Sequence, residues 1–190
     1  MPDKPTRRSG AVLERAILDA GWREIGERGW SGFTMEGVAA RSGVAKTVIY
    51  RRWKNRAELA QEMLRRAAAE HQRPVDSTGD LRTDLLTFVT NMSEFLRGAF
   101  GDAARGVVSE GDPATRTSMF AETPVVHGVH EIIEHARARG ELVTAPSVAA
   151  VNLGHAIVMW EFLQVHEPPS HEDLVTLVDS LWLPALRQSA

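Results

Sequence analysis

The sequence contains no cysteine among its 190 residues, and it has no long uninterrupted apolar run. The absence of cysteine excludes a disulfide framework, a thiolate metal site and a cysteine nucleophile. The most apolar segment, residues 148–163, is interrupted by Asn152, His155 and Glu161, so we expect no membrane role. The first ten residues are polar and basic and lack the apolar centre of a signal peptide, which predicts a cytoplasmic protein.

The charged residues are divided unevenly along the chain. Residues 1–66 contain 14 Lys and Arg but 8 Asp and Glu, a net charge of +6, whereas residues 67–190 contain 8 basic and 17 acidic residues, a net charge of −9. A basic segment on an acidic remainder is the asymmetry expected when one end of a protein meets a polyanion. The overall composition, 43% hydrophobic and 25% charged, is that of a globular protein and excludes collagen-like or wholly disordered chains.

Apolar residues recur at helical rather than alternating spacing in almost every long segment, so we predict an all-α fold. The first helix is predicted over residues 9–27, where Gly21 and Gly26 indicate close packing against another helix. Thr34 is a suitable N-cap for a short second helix that ends at Gly43. The remaining helices are predicted over residues 45–52, 56–72, 81–97, 102–110, 113–119, 123–139, 147–166 and 171–187.

Two short helices joined by a tight turn at residues 42–44 match a helix-turn-helix, whose second helix enters the major groove of DNA. The helix predicted at residues 45–52 has one exposed side, with four residues suited to the groove: Lys46, Thr47, Tyr50 and Arg51. Its opposite side is predicted to be buried: Ala45, Val48 and Ile49. Lys and Arg can reach guanine acceptors or phosphates, Thr can touch a base, and Tyr can donate to a phosphate.

The starts of two helices offer further phosphate contacts, because free backbone N–H groups and the positive end of the helix dipole favour an anion there. Thr34 begins the second helix, and Lys54 and Arg56 flank the start of the fourth. Asn55 and Glu58 resemble a capping box at that same start. Other basic residues of the first third fit solvated helix faces without a ligand: Arg23, Arg28, Arg65 and Arg66.

The segment GWSGFTMEGVAARSGVAKTVIYRRWKNRAEL, at residues 29–59, resembles the N-terminal domain of the TetR family of transcriptional regulators. A second segment, ARARGEL at residues 136–142, resembles the C-terminal domain of one branch of that family. The resemblance implies a three-helix DNA-binding domain at residues 1–55, with a disordered arm at 1–8. It also implies a helical effector-binding and dimerisation domain at residues 56–190.

The resemblance further implies a homodimer that binds a palindromic operator in double-stranded DNA, usually represses transcription, and releases DNA when a small molecule binds. It places eight residues at DNA-contact positions of the family: Thr34, Lys46, Thr47, Tyr50, Arg51, Arg52, Lys54 and Arg56. The chain departs from the family pattern at Ala45, where a capping Ser is frequent, and at Val48, where a Thr is frequent.

The last two predicted helices carry the apolar surfaces expected of a dimer interface. Residues 147–163 are apolar almost all round, and the final helix repeats apolar residues at helical spacing: Leu174, Leu177, Val178, Leu181 and Trp182. Such surfaces can pack into a two-fold interface. In the resembled family these two helices and their counterparts form a four-helix bundle.

A small-molecule effector is expected between the fourth helix and the helices at residues 81–97, 102–110 and 123–139. The candidate lining residues are Met63, Phe88, Met92, Phe95, Phe100, Met119, Phe120, Asn152, His155 and Met159. Met and Phe at helical spacing also fit an ordinary core. The polar pair Asn152 and His155 lies on a buried helix, so it needs partners either in a ligand or across the dimer.

Neither a metal site, a cofactor nor an enzymatic activity is expected. His127, His130, Glu131, Glu134 and His135 share one helix face that could hold zinc, but this face points away from the apolar residues and fits solvated i,i+4 pairs. The sequence has no nucleophile elbow, phosphate loop or HExxH motif. The predicted function is therefore sequence-specific transcriptional regulation; the alternative is a helical small-molecule-binding or enzymatic protein with a vestigial helix-turn-helix.

Overall fold

Helices are the only regular elements in the computed structural model of the chain, which describes residues 10–71, 77–120, 124–165 and 167–188. They are α1 Gly10–Gly32, α2 Met35–Ser42, α3 Lys46–Tyr50, α4 Arg56–His71, α5 Leu81–Phe95, α6 Gly98–Glu110, α7 Pro113–Phe120, α8 Pro124–Ala138, α9 Val148–Val165, α10 His171–Leu177, a π-helical turn Val178–Trp182 and α11 Leu183–Gln188. The all-α prediction is confirmed. The predicted arm at residues 1–8 lies outside the described residues.

The helices group into two compact units. Unit 1 comprises the described residues up to 66 together with residues 98–119, and unit 2 comprises residues 67–97 together with the described residues from 120 onward. Segment 98–119 therefore packs in unit 1, although the chain on both sides of it belongs to unit 2. The functional boundary predicted between residues 55 and 56 stays a prediction, since these units are defined by packing alone.

Two glycines of α1 behave differently from each other. A Cβ atom at Gly21 would lie 2.5 Å from the sulfur of Met63, so α1 and α4 pack closely there, as predicted. A Cβ atom at Gly26 would meet nothing within 4 Å, so the prediction of close packing is wrong at that position. The first helix also continues to Gly32, but Gly29 has φ 62° and breaks its helical path near the predicted end.

The ARARGEL segment, residues 136–142, closes unit 2 at the end of α8. Gly140 has φ 79°, and the N–H of Glu141 donates to the carbonyl of Ala136, which is the Schellman ending of a helix. The carboxylate of Glu141 accepts from the N–H of Leu81 at 2.9 Å, and the guanidinium of Arg139 lies 3.4 Å from the carboxylate of Asp84. The motif therefore ties the end of α8 to the start of α5.

Asp84 is the buried centre of this connection. Its carboxylate accepts from the backbone N–H and the hydroxyl of Thr78, both at 2.7 Å, and from the hydroxyl of Ser77 at 3.0 Å. Burial alone would raise the pKa of Asp84, but these hydrogen bonds and the charge of Arg139 outweigh it, so the pKa lies below its ordinary value. The ionised form is thus the one that the fold stabilises.

We expect Asp84→Asn to lower the free energy of unfolding by about 2 kcal/mol at neutral pH, because the amide leaves part of a buried hydrogen-bond set unmade. A depressed pKa contributes stability that is complete above the unfolded-state pKa and is lost as the pH falls through the folded-state pKa. The difference from the wild type should therefore shrink in acid, as urea unfolding at several pH values would measure. Asp19→Asn, at an exposed carboxylate, is the control; a difference that did not change with pH would contradict the assignment.

The C-terminal helix changes register in its middle. Leu174, Leu177, Val178 and Trp182 are buried within unit 2, whereas Leu181 is 51% exposed. The prediction that all five lie on one side of the helix is wrong, because the π-helical turn at Val178–Trp182 adds a residue to the turn and rotates Leu181 to the exposed side. The buried indole of Trp182 fits over Gly154 of α9 and donates to the carbonyl of Ala150 at 2.9 Å.

One side of α9 is buried and the other presents apolar residues to solvent. Ala150, Val151, Gly154, Val158 and Phe162 are buried in unit 2. Trp160 is 62% exposed, and Ala149 and Ala156 on the same side are exposed as well. By length and composition α9 is also the one described helix that could cross a membrane, a test that core helices pass too.

Candidate nucleic-acid interface

The helix-turn-helix is built by capping residues at both ends of α2. The Thr34 hydroxyl accepts from the N–H of Gly37 at 3.0 Å, and Gly43 ends the helix with φ 67°. The inner residues Met35, Val38 and Ile49 are buried. Both predicted ends of α2 are confirmed, and α3 starts three residues after Gly43.

The recognition helix α3 is shorter than predicted, and this changes the place of one residue. Ala45 is exposed, so the prediction that it faces the core is wrong. It is the N-cap of α3, with φ −58° and ψ 137° and without a side-chain cap. Because its backbone is not helical, the projection of about 100° per residue does not apply to it. Val48 is half-buried and Ile49 is completely buried, as expected for the inner side.

Three residues of the exposed side have side chains without a polar partner in the described part of the chain. They are Thr47 and Tyr50 on α3 and Arg51 directly after it, and all three are exposed. Tyr50 is an aromatic residue with 43% of its surface accessible. A hydroxyl, a phenol and a guanidinium are thus presented together on one short element, which is the donor set that a groove and its phosphates require.

Lys46 shares this exposed side but has an acidic partner. Its ammonium lies 3.0 Å from the carboxylate of Glu36, in the first turn of α2, and both side chains are about half exposed. The hydrogen bond from Lys46 holds the pKa of Glu36 below its ordinary value. An exposed pair of this kind is weakly held, so Lys46 can exchange Glu36 for another acceptor at little cost.

Arg52 is directed back onto α1. Its guanidinium lies 2.5 Å from the carboxylate of Glu14, which also pairs with Arg66 of α4. Glu14 thus connects α1 both to the segment that precedes α4 and to α4 itself.

Arg56 has the most complete set of protein contacts among the eight predicted residues. Its Nη1 donates to the carbonyls of Trp30 at 3.1 Å and Phe33 at 2.8 Å, and its Nε donates to the Glu110 carboxylate at 2.8 Å. Its guanidinium carbon also lies 4.8 Å from the centre of the Trp30 ring.

The start of α4 is capped by its own side chains. The Asn55 amide oxygen accepts from the N–H of Glu58 at 2.9 Å, as the predicted capping box requires. The Glu58 carboxylate, however, accepts from the N–H of Lys54 at 2.8 Å instead of the N–H of the cap residue. Lys54 itself is exposed. The carboxylate of Glu58 therefore occupies part of the position where a phosphate was expected.

One residue that positions the helix-turn-helix is not identified by the sequence analysis. Glu24 is buried in α1, and its carboxylate lies 3.0 Å from Arg41 of α2, which also pairs with Glu27. This pairing fixes the helix before the turn on α1. The available signal was a carboxylate on the apolar stripe of α1, since Glu24 follows Ile17 by seven residues, where an unpaired charge would not be tolerated.

The candidate effector residues are divided between the two units. Met63 and Phe100 belong to unit 1, where Met63 packs under Gly21 and Phe100 stacks on Trp22 with ring centroids 6.0 Å apart. Unit 2 holds Phe88, Met92, Phe95, Asn152, His155 and Met159. The side chains of Met119 and Phe120 lie outside the described part of the chain. Burial lowers the pKa of His155, whose Nδ1 has no hydrogen-bond partner there.

A polar surface depression lies in unit 1. It measures about 550 Å³ and is lined by Trp53, Lys54, Glu58, Gln61, Glu62, Asp112, Ala114 and Thr115. None of the candidate effector residues lines it.

The histidine face of α8 is solvent-exposed, as predicted. His127, His130, Glu131, Glu134 and His135 are exposed, and Val129, Ile132, Ile133 and Ala136 on the opposite side are buried. Within the described residues no group of three or more His, Asp or Glu side chains is arranged to hold a metal ion.

Comparison with known proteins matches both parts of the chain. Residues 17–63 match the family described as bacterial regulatory proteins, tetR family, and residues 74–181 match the tetracyclin repressor-like, C-terminal domain. An uncharacterised HTH-type transcriptional regulator of Mycobacterium bovis is 26% identical over 98% of this chain and 95% of its own length. Another, YdeS of Bacillus subtilis, is 29% identical over 58% of this chain and 56% of its own.

A solved structure has the same architecture. The TetR family transcription regulator SCO0332 superposes with a TM-score of 0.72 at 24% identity, over 90% of this chain and 96% of that one. At this identity the likeness shows a shared fold.

Proposed function

Because the chain belongs to the TetR family of bacterial transcriptional regulators, we propose that it is a ligand-released repressor that binds a palindromic operator as a homodimer. The observation that carries the proposal is the exposed side of the recognition helix. There Thr47, Tyr50 and Arg51 have no polar side-chain partner among the described residues. Exposed side chains of this chemistry on the second helix of a helix-turn-helix are free to bind the base edges and phosphates of a major groove.

Within this proposal the residues have different roles. Arg51 and Lys46 read base edges, because guanidinium and ammonium groups match the acceptors of guanine. Tyr50, Thr34 and Lys54 bind phosphates and set the register, and Thr47 contacts a base or its methyl group. Arg52 and Arg56 have acidic partners inside unit 1, so their direct contribution to DNA binding is smaller.

The homodimer forms through α9 and the C-terminal helix. The apolar surface that unit 2 presents to solvent on these helices includes Ala156, Trp160 and Leu181. A two-fold axis would bring each such surface against its own copy, which is the simplest closed arrangement. The operator of such a dimer would have two half-sites one helical turn or a multiple apart.

The effector is a small molecule that binds the helical C-terminal part. The candidate residues of unit 2 named above remain the proposed contacts, and Asn152 and His155 supply its polar partners. Release of DNA would be a population shift, which requires the effector to bind the DNA-incompetent state more tightly. Such a regulator acts in the cytoplasm, where the family's members work.

Selection of bound fragments from genomic DNA tests the proposed function. The full chain should enrich fragments that share an inverted repeat, and log Kd for such a fragment should change with log salt concentration with a slope of magnitude about 5 or more. The slope is expected because each phosphate contact releases counterions. Enrichment of no common sequence, with equal binding to all fragments, would contradict sequence-specific regulation.

A further inference from the structure

A compact cluster in unit 1 joins the start of α4 to the ends of α1 and α6. Its members are Arg56, Trp30 and Glu110. Arg56 is the first residue of α4, Trp30 lies near the end of α1, and Glu110 is the last residue of α6. No sequence motif connects the three, since Glu110 follows Arg56 by 54 residues.

Glu110 receives hydrogen bonds from both partners. Its Oε1 accepts from the Trp30 indole at 3.0 Å and from Nη2 of Arg56 at 2.5 Å, and its Oε2 accepts from Nε of Arg56 at 2.8 Å. The two-point pairing with Arg56 fixes the plane of the guanidinium. The hydrogen bond from Arg56 holds the pKa of Glu110 below its ordinary value.

The Trp30 ring needs a glycine of α6. A Cβ atom at Gly106 would lie 2.0 Å from the ring, so α6 approaches α1 closely only because this position has no side chain. The ring then lies beneath the guanidinium of Arg56. Trp30, Arg56 and Glu110 are thus fixed on one another by packing as well as by charge.

Arg56 is poorly placed to bind a phosphate. Four of its five N–H groups donate within unit 1, to the carbonyls of Trp30 and Phe33 and to the two oxygens of Glu110. The Glu110 carboxylate neutralises its charge and would repel a nearby phosphate. A DNA contact would therefore require most of these hydrogen bonds to break.

Arg56 connects the two ends of the helix-turn-helix. Phe33, whose carbonyl it binds, directly precedes Thr34, the cap of α2, and Trp30 lies three residues before Phe33. Arg56 itself follows the end of α3 by six residues. We propose that Arg56 is a positioning residue, which together with Glu110 and Trp30 holds the helix-turn-helix in its DNA-binding geometry on α6. This inference rests on the proposed function and assigns to Arg56 a role other than the phosphate contact that its family position implies.

Four variants of the full chain test the proposal: Arg56→Lys, Glu110→Gln, the double variant with both changes, and Asp19→Asn. The probes are one fragment enriched in the genomic selection and sonicated genomic DNA, each titrated over a salt series. Arg56→Lys keeps the charge but loses the two-point pairing. Glu110→Gln removes an acidic group that is 40% exposed. Asp19→Asn is its matched control, at an exposed carboxylate of the same unit that has no polar partner among the described residues.

A positioning role predicts that Arg56→Lys and Glu110→Gln each weaken binding to the selected fragment by about tenfold, as substitutions in a coupled network do. The double variant should lose little more than either single variant, because both break the same cluster. The salt slope should stay that of the wild type, since no phosphate contact is lost. Asp19→Asn should bind equally or more tightly. Circular dichroism at the assay temperature confirms that each variant is folded.

A phosphate-binding role predicts the opposite pattern. Arg56→Lys would bind like the wild type, and Glu110→Gln would bind both probes more tightly, because an acidic group near DNA is gone. Either result would overturn the positioning role. A wild-type chain that enriches no fragment would instead contradict the proposed function, so the two failures are distinguishable.

Discussion

Arg51→Ala is expected to remove the preference of the protein for one base pair in each half-site of its operator. Arg51 is exposed directly after α3 and has no polar side-chain partner in the described residues, so its guanidinium is available for a two-point contact with guanine. Each such contact is worth about 1–3 kcal/mol, and a symmetric dimer loses two, or about 2–6 kcal/mol in all. Competition between the selected fragment and fragments with single base-pair changes would measure the loss.

The pattern of the loss distinguishes base reading from charge. The Arg51→Ala variant should become indifferent to one base pair in each half-site, while discrimination at the other positions stays that of the wild type. Arg23→Ala is the matched control, because it removes the same charge from an exposed position of α1. If Arg51→Ala weakened binding to every fragment by the same factor, Arg51 would be a phosphate contact and not a reader.

Trp160→Glu is expected to convert the dimer into monomers at micromolar concentration. The Trp160 side chain is 62% exposed in unit 2, on the apolar side of α9 proposed to meet its copy. The substitution would place two carboxylates in that interface, and burial of an unpaired charge costs several kcal/mol. Sedimentation equilibrium measures the dissociation, and affinity for the selected fragment should fall with it, because each half then binds alone.

Val143→Glu separates this effect from a general loss of apolar surface. Val143 is 94% exposed but lies in the segment between α8 and α9, outside the helices of the proposed interface. The Val143→Glu variant should remain dimeric. A Trp160→Glu protein that sedimented as a dimer would place the interface on another surface of the chain.

The sequence was sufficient for features that depend on neighbours along the chain. The cap at Thr34, the end of α2 at Gly43 and the exposed side of α3 follow from residue types within a few positions of one another. The exposure of Ala45 did not follow, because the helical projection assumed that α3 had already begun there. A difference of one residue in the start of a helix changes which side its first residue faces.

Features that depend on distant residues could not be predicted. The acidic partners of Arg52 and Arg56 come from α1 and α6, and no pattern in a single sequence joins them. The prediction for Leu181 was wrong for a different reason. The periodicity around Leu181 is that of a regular α-helix, and only the packing of the Trp182 indole over Gly154 shows where the π-helical turn lies. Glu24 resembles Arg52 and Arg56 in this respect. The helical spacing of α1 indicates that Glu24 is buried, but no pattern in the sequence indicates that its partner is Arg41.

The packing of segment 98–119 in unit 1 has a consequence for how such regulators can be recombined. A chimera that joined residues 1–66 to the C-terminal part of another regulator would carry Trp30 and Arg56 but neither Gly106 nor Glu110. The indole would then meet a foreign side chain, and the guanidinium would lack its carboxylate. Operator specificity therefore cannot be transferred by a single junction within α4: a functional chimera has to exchange α6 together with the N-terminal helices.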